Sequence, residues 1–327
     1  MIRVSAGTEI LLGFRHIRAD ALSATAYLMI GEKCSRACAF CPQAVGATPR
    51  RTGLLSRVVW AEHAPGDIVL GIARAGTKVK RICLQCLGSE AAMEEALTFL
   101  QLLRQGGLLA PGDTPRVSVS MNTTMVSHCE EFFQSGADRI GLPIDVADEA
   151  TFRQLKGGSL GEEVARVLET ARKWPGRITV HFIVGLGETE REILELAQLM
   201  IDERITVALF SFTPIPGTRM EEREPPALPS YRRIQLGLYL ISHGLISIRG
   251  MSFNASGQLT GINLPEGLRG RLLPVLYKGK AFMTTGCPDC NRPYYNERPG
   301  GTMYNYPWPP TWEETVKAVM ECQILGG

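Results

Sequence analysis

Three cysteines near the amino terminus carry the clearest chemistry in this sequence. Cys34, Cys38 and Cys41 form a CxxxCxxC stretch, with the aromatic Phe40 directly before the last thiol. Three thiolates on one short loop can each hold one iron of a cubane [4Fe–4S] cluster. A structural zinc site needs a fourth protein ligand, which this stretch does not supply. The fourth iron of such a cluster therefore has no protein ligand and is free to bind a small molecule.

Two further cysteine pairs have the spacing of metal sites. Cys83 and Cys86 form one CxxC pair, and Cys287 and Cys290 form another. Neither pair opens a helix in the context that a thioredoxin-like redox motif requires. The four thiols predict either a second iron–sulfur cluster or a four-cysteine structural zinc site. Their expected position beside the first site favours the iron–sulfur cluster.

Short apolar runs alternate with amphipathic stretches along most of the chain. Near-continuous apolar runs are typical of strands that are covered on both faces. Eight such strands interleaved with helices predict an α/β fold, a (β/α)8 barrel of the TIM type. The predicted strands are residues 25–30, 79–84, 116–121, 138–143, 178–184, 205–211, 245–249 and 280–284.

Helices and the carboxyl-terminal segment complete the predicted organisation. Apolar residues at helical spacing predict a helix over residues 89–105, and Thr189 with Glu192 forms a capping box that predicts another helix start. Residues 293–310, rich in Pro, Gly, Tyr and Trp, are expected to wrap across the barrel before a final helix from about Trp312. The predicted domains are an amino-terminal extension (1–24), the barrel (25–290) and a carboxyl-terminal wrap (291–327).

The residues that could do chemistry follow the predicted strands at one end of the barrel. In TIM-type barrels the active site lies at the carboxyl ends of the strands. The cysteine triplet follows the first predicted strand, Cys83 and Cys86 end the second, and the pair that begins at Cys287 follows the eighth. Asp145 follows the fourth strand, a turn with Gly185 follows the fifth, and Arg249 ends the seventh. The sequence therefore predicts one site at one rim.

Composition excludes several classes of function. The 327-residue chain has a formal net charge of +2, which gives no electrostatic case for nucleic acid or an anionic membrane as a partner. Its amino terminus lacks a continuous apolar region, and no run approaches the length of a membrane span. Clustered thiols of this kind survive in a reducing compartment. A cytoplasmic, oxygen-sensitive protein is expected.

The sequence resembles the radical SAM enzymes at Cys34, Cys38, Phe40 and Cys41. In these enzymes the open iron binds S-adenosylmethionine (SAM), which is cleaved reductively to a 5′-deoxyadenosyl radical. The resemblance implies a radical SAM barrel with a [4Fe–4S] cluster and SAM as cofactors. It also implies an electron donor such as ferredoxin or flavodoxin.

Within that superfamily the sequence is similar to the biotin synthase branch. This resemblance places Phe40 against the adenine, Ile183 and Gly185 at backbone contacts with SAM, and Asp145 at the ribose. Taken by itself, Asp145 could equally be a solvated loop residue. Most of the superfamily ends the second strand with Gly-Gly-Glu, which holds the amino group of SAM. Here Gln85 occupies this region, so the residue that binds the amino group of SAM is not identified. Biotin synthase departs from the Gly-Gly-Glu pattern at the same place.

Biotin synthase also carries an auxiliary cluster that donates sulfur. Cys83 and Arg249 correspond to two ligands of that cluster, and Arg249 is expected to bind or tune the cluster here. The other two ligand positions fall near Ser118 and Thr179, which cannot replace thiolates. A copy of that cluster is therefore not expected, whereas a cluster that uses the late CxxC pair is.

Three functions remain open. The leading hypothesis is sulfur insertion into an unactivated C–H bond, because the segment after Cys287 resembles two-component lipoyl synthases. It implies an octanoyl group on a lipoyl carrier protein as substrate and a second radical SAM subunit as a candidate partner. The alternative is a single-cluster enzyme that rearranges a small molecule, like methylornithine synthase. The third is a non-catalytic scaffold, against which the open iron argues.

Overall fold

One nine-stranded sheet organises the protein, and its central strands are parallel. The computed structural model describes residues 1–17, 21–49, 53–109, 115–264, 276, 278–298 and 300–324. The strands are β1 (Ile2–Ser5), β2 (Thr25–Ile30), β3 (Leu54–Leu55), β4 (Val58–His63), β5 (Arg81–Cys86), β6 (Arg116–Ser120), β7 (Arg139–Asp145), β8 (Ile178–Val184), β9 (Thr206–Ser211), β10 (Met251–Phe253) and β11 (Leu259–Ile262). The helices are α1 (Ala6–Leu11), α2 (Pro65–Ala75), α3 (Glu90–Gln105), α4 (Cys129–Gln134), α5 (Glu149–Leu155), α6 (Leu160–Lys173), α7 (Glu190–Asp202), α8 (Leu228–Ser242) and α9 (Trp312–Glu321).

Six neighbouring strands form the parallel part of the sheet. In the order β2, β5, β6, β7, β8 and β9, each strand pairs in parallel with the next. Strand β1 pairs antiparallel with both β2 and β4, so the β3–β4 hairpin extends the sheet beyond β2. Parallel neighbours need crossover connections, and helices occupy these connections. The predicted α/β fold of the (β/α) barrel class is confirmed.

The two faces of the parallel strands differ in polarity. On β5, Ile82 and Leu84 are fully buried in the apolar core, to which helix α3 contributes. Successive side chains on a strand point to opposite faces, so Arg81, Cys83 and Gln85 face the inside of the barrel. The apolar residues thus form the layer between sheet and helices, and the polar ones line the interior.

The capping signals of the sequence are present in the helices. Ser89 accepts a hydrogen bond from a backbone N–H in the first turn of α3, and Thr189 and Glu192 form the capping box of α7. The last described helix, α9, begins at Trp312. Within the described ranges, no helix combines the length and the hydropathy that a membrane span requires.

The predicted seventh and eighth strands, residues 245–249 and 280–284, are not strands. The first ends in a 3-10 turn (Ile248–Gly250), and the second contains another (Lys280–Phe282). Most of their apolar side chains pack in a separate cluster with helices α8 and α9, outside the sheet, and these are Leu245, Ile246, Ala281, Phe282 and Met283. An apolar run shows only that a segment is buried, and burial against helices gives the same pattern as burial in a strand.

A carboxyl-terminal segment closes the side of the barrel that these strands were expected to fill. Residues 284–297, called the strap from here on, connect the edge strand β9 with the start of β2. The backbone N–H of Leu209 on β9 donates to Thr285 Oγ1 at 2.9 Å, and that of Ala24 donates to Asn291 Oδ1 at 3.0 Å. A Cβ on Gly286 would lie 2.9 Å from Ala208 Cβ, so glycine lets the strap pass this close to β9.

Candidate active site

The three cysteines of the CxxxCxxC loop line one chamber at the carboxyl ends of the parallel strands. The loop is tied to α5, because the N–H of Ala39 donates to the Leu155 carbonyl at 2.8 Å. The N–H of Arg36 donates to Cys34 Sγ at 3.4 Å. Further along, the N–H of Thr48 donates to the carbonyl of Gly217 at 2.9 Å. A Cβ on Gly217 would collide with the carbonyl of Thr48, so only glycine permits this close approach. The loop is therefore held to elements on two sides.

The donor set of this loop fits an iron–sulfur cluster better than a single metal ion. Among the described residues, no group of three or more Cys, His, Asp or Glu side chains could hold one metal ion. Tetrahedral zinc needs several such side chains around one ion, whereas each cysteine of a cubane binds a different iron. Burial raises the pKa of Cys41 to about 12 and also raises the pKa of Cys38, so iron must displace their protons.

Four of the five residues predicted to contact SAM line the same chamber. They are Phe40, Gln85, Asp145 and Ile183. Gly185 does not line it. Its N–H donates to Glu188 Oε1 at 3.0 Å, and its carbonyl accepts from Arg223 Nε at 3.0 Å. These internal hydrogen bonds occupy the N–H of Gly185 and one of the two acceptor positions of its carbonyl, so the expected contact with SAM stays a prediction.

Asp145 ends strand β7 in a fixed orientation. It is buried, has a positive φ of 68° and lies with its Oδ2 2.7 Å from Lys156 Nζ. Lys156 also donates to the carbonyls of Pro143 and Ile144, at 2.7 and 2.9 Å. The pairing neutralises the buried carboxylate, which can still accept hydrogen bonds from hydroxyl groups in the chamber. Sequence reasoning missed Lys156, which no motif distinguishes from a surface lysine.

Two further chamber residues, which are not among the predicted site residues, have side-chain nitrogens without hydrogen-bond partners among the described residues. Arg36 Nε is buried and has no hydrogen-bond partner among the described residues, although Arg36 Nη2 lies 3.5 Å from Glu163 Oε1. His181 on β8 lines the chamber, and neither of its ring nitrogens has a hydrogen-bond partner in the described part of the chain. Burial lowers the pKa of His181 to about 4, so the ring is neutral near pH 7. Both residues offer polar atoms to a bound molecule.

A second group of cysteines lies deeper in the barrel. Cys83 faces inward from β5, and the strap brings Cys287 and Cys290 close to it. Burial raises the pKa of Cys83, and the charges of Cys290 and Cys287 raise it further, to about 12. Cys290 Sγ lies 3.3 Å from the hydroxyl of Tyr27, and Cys287 Sγ lies 3.5 Å from Thr179 Oγ1. These three thiols form a deep cysteine site.

Cys86 does not belong to the deep cysteine site, which corrects the predicted set of four. Residues three apart on a strand point to opposite faces, so Cys86 and Cys83 diverge. Cys86 packs against the apolar core and lines the chamber at the end of β5. The remaining three thiols cannot by themselves complete a tetrahedral four-cysteine zinc site.

Arg249 is also absent from the deep cysteine site. It is exposed, and its turn packs on α7 in the outer layer, where Ile248 N–H donates to Gln198 Oε1 at 3.0 Å. The segment does not reach the rim because it forms no seventh strand. The predicted catalytic role of Arg249 is therefore corrected.

A different arginine, Arg292 on the strap, reaches this region. It is 8% exposed, donates to the carbonyls of Leu209 and Thr285 at 3.2 and 2.8 Å, and lies 3.8 Å from the centroid of the Phe210 ring. Among the described residues it makes no salt bridge, although its charge acts on the buried Glu297 and opposes the rise in the pKa of Glu297 that burial causes. A buried guanidinium without a salt bridge, on the strap that carries Cys287 and Cys290, favours an anionic group near the deep site.

Comparison with known proteins gives a sequence relative and similar solved structures. A biotin synthase of Parabacteroides distasonis is 28% identical over 147 residues, which are 45% of this chain and 44% of that protein. The chain thus matches less than half the length of that relative. The crystal structure of HydG, a maturase of the [FeFe]-hydrogenase, covers 67% of this chain and 49% of its own, with a TM-score of 0.52 and 10% identity. This likeness supports the fold alone.

A radical SAM methyltransferase from Sphaerobacter thermophilus covers 72% of this chain and 70% of its own, with a TM-score of 0.49 and 16% identity. The family model of the Radical SAM superfamily matches residues 28–200, more than half of the chain. The match includes the cysteine triplet and strands β5 to β8, whose carboxyl ends surround the chamber. With its three-cysteine loop on a parallel barrel, this chain belongs to the radical SAM superfamily.

Proposed function

We propose that this protein inserts sulfur into an unactivated C–H bond of an octanoyl group carried by a lipoyl carrier protein. The observation that carries the proposal is the deep cysteine site of Cys83, Cys287 and Cys290. Radical generation requires only the cysteine triplet, so a second group of thiols beneath the chamber points to a second metal group. Similarity to a biotin synthase, an enzyme of the sulfur-inserting class, supports the same reaction type.

Each cysteine group has its own role in this proposal. Cys34, Cys38 and Cys41 hold the SAM-binding [4Fe–4S] cluster, and the deep cysteine site holds the auxiliary cluster. When bound, the first group would supply the electron that cleaves SAM to methionine and a 5′-deoxyadenosyl radical, and the second would supply the sulfur for the substrate. The side chains described below bind and orient the reactants.

Polar groups that line the chamber orient SAM. Asp145 is held by Lys156 through Oδ2, which leaves Oδ1 to accept hydrogen bonds from the ribose hydroxyls. The unpartnered Nε of Arg36 suits the carboxylate of the methionyl group. Phe40 stands beside the last cysteine as an apolar surface for the adenine.

The rest of the chamber suits an aliphatic substrate. Apolar side chains from the hairpin, from the residue after β6 and from the loop after β9 line it, and they are Leu55, Met121, Phe212 and Ile215. Such walls exclude water from a carbon radical and give an alkyl chain a favourable environment. The proposal includes ferredoxin or flavodoxin as the electron donor and a second radical SAM subunit as a partner.

Product analysis under anaerobic conditions tests this function. Reconstituted protein receives SAM, a reductant and a peptide with an octanoylated lysine, and the peptide is examined by mass spectrometry. We expect 5′-deoxyadenosine together with a peptide that has gained sulfur. Formation of 5′-deoxyadenosine without sulfur on the peptide, also when the partner subunit is added, would contradict the proposal.

Iron content separates this function from the single-cluster alternative. Two cubanes give about eight irons per chain, whereas a rearranging enzyme with one cubane gives about four. An enzyme of the second kind would leave the deep cysteines as free thiols. We expect the reconstituted protein to contain iron and acid-labile sulfide in equal amounts, at about eight of each per chain.

A further inference from the structure

The chamber and the deep cysteine site are separated by a layer of aromatic rings. Of the described residues that line the chamber, none is Cys83, Cys287 or Cys290. Between the two sites lie the rings of His181, Phe210 and Tyr295, which all line the chamber. The rings of His181 and Phe210 meet edge to face at 5.4 Å, and those of Phe210 and Tyr295 do so at 5.8 Å. We call these three side chains the aromatic layer.

Tyr295 has contacts on both sides of this layer. It lines the chamber together with the cysteine triplet, and it packs in the same apolar cluster as Cys34, Cys83 and Cys290. Its electrostatic neighbours include Cys41 from the triplet as well as Cys83 and Cys290 from the deep site. Tyr295 thus lies between the position where a radical forms and the position of the proposed sulfur donor.

The three rings differ in how firmly the chain holds them. His181 is on β8, a strand with neighbours on both sides, and Phe210 is on β9 with the guanidinium of Arg292 over its ring. Tyr295 is on the irregular strap, where its carbonyl accepts from Ser56 Oγ at 3.5 Å. Its hydroxyl has no hydrogen-bond partner among the described residues, so displacement of this side chain breaks no side-chain hydrogen bond.

We propose that Tyr295 is the gate between the chamber and the deep cysteine site, and that the substrate chain reaches the sulfur donor by displacing this side chain. The proposal rests on the proposed function. It makes Tyr295 a residue that touches the substrate and determines specificity. A gap of one ring admits an unbranched aliphatic chain, and the apolar edge of Phe210 forms the other side of the passage.

Accessibility of the deep cluster tests the gate without any sulfur transfer. Reconstituted proteins with about eight irons are mixed with a small iron chelator, and the slow phase of iron release is followed by absorbance. We expect Tyr295→Ala to release the deep iron several-fold faster than wild type. Tyr295→Phe, which keeps the ring, and Tyr294→Ala, which removes the neighbouring ring that packs on Trp308, should behave like wild type.

Turnover gives a second readout. With the octanoylated peptide, Tyr295→Ala should form several-fold more 5′-deoxyadenosine per sulfur transferred than wild type, because the chain is no longer held between the two sites. Equal iron release and equal coupling in Tyr295→Ala and wild type would overturn the gate. A fall to about four irons in both Tyr295→Ala and Tyr295→Leu would also overturn it, since Tyr295 would then support the strap. If wild type itself holds four irons, the proposed function fails instead.

Discussion

The two cysteine sites of this protein are assembled in different ways. Cys34, Cys38 and Cys41 come from a single loop after β2, and hydrogen bonds to α5 and to Gly217 hold that loop at the rim. The deep site combines Cys83 of β5 with Cys287 and Cys290 of the strap, near the other end of the chain. A local motif therefore identifies the first site, whereas only the closed barrel creates the second.

The sites also differ in exposure and charge. The rim site opens into the chamber, where a small molecule can bind and leave, and a buried lysine–aspartate pair lies beside it. The deep site is behind the aromatic layer and next to Arg292, which has no ion pair in the described part of the chain. An exchangeable ligand suits the first environment, and a resident anionic group suits the second.

Loss of a rim thiol gives the largest expected effect on activity. Cys41→Ala removes one iron ligand, so reductive cleavage of SAM should fall below detection while the deep site keeps about four irons. Chromatography of 5′-deoxyadenosine and iron analysis of the reconstituted protein measure both. Cleavage at the wild-type rate in this variant would mean that the triplet does not hold the reactive cluster.

Loss of a deep thiol should separate the two sites. Cys287→Ala should lower the iron content from about eight to about four and abolish sulfur transfer, while SAM cleavage continues. Cys86→Ala is the matched control, because Cys86 lies on the same strand as Cys83 but outside the deep site. If Cys86→Ala loses as much iron as Cys287→Ala, the assignment of three deep ligands is wrong.

Arg292 should affect the electron affinity of the deep cluster. A nearby positive charge favours the reduced, more negative state, so Arg292→Gln should make the reduction potential of that cluster more negative. Arg292→Lys should lie between this variant and wild type, and Arg249→Gln should change nothing because Arg249 is on the outer layer. Redox titration followed by electron paramagnetic resonance measures these potentials. A larger shift of the reduction potential in Arg249→Gln than in Arg292→Gln would contradict this prediction.

The smallest expected effect concerns His181. Its folded pKa of about 4 lies below the value of about 6.5 in an unfolded chain. The unfolded state therefore binds a proton first, and stability is lost as the pH falls from 6.5 towards 4. Relative to His181→Gln, metal-free wild type should lose about 1 to 3 kcal/mol of unfolding free energy over this range. Urea titrations at several pH values measure the difference, and parallel curves would contradict it.

Local sequence patterns predicted the parts of the fold that depend on neighbouring residues. Strands β2 and β8 and the start of α9 have the predicted bounds, because continuous apolar runs and a capping residue define them locally. The triplet and four of the five predicted SAM contacts share one chamber for a related reason. Parallel strands bring their carboxyl ends together, whatever the details of their connections.

The remaining features depend on long-range packing. Apolar residues at 245–249 and 280–284 are buried against α8 and α9, which a strand pattern cannot distinguish from burial in a sheet. The divergence of Cys83 and Cys86 could have been predicted, since a three-residue step on a strand reverses the face. The roles of Lys156 and Arg292 could not, because nothing in their local sequence shows that they are buried beside the sites.

The position of the strap has a consequence for biosynthesis. When a ribosome has made the first half of the chain, all three rim ligands are present, but two of the three deep ligands do not yet exist. The rim position can therefore be filled in a nascent protein, whereas the deep position can bind a metal group only after the strap has been translated. A cell that delivers iron and sulfide during translation would therefore fill the two positions in a fixed temporal order.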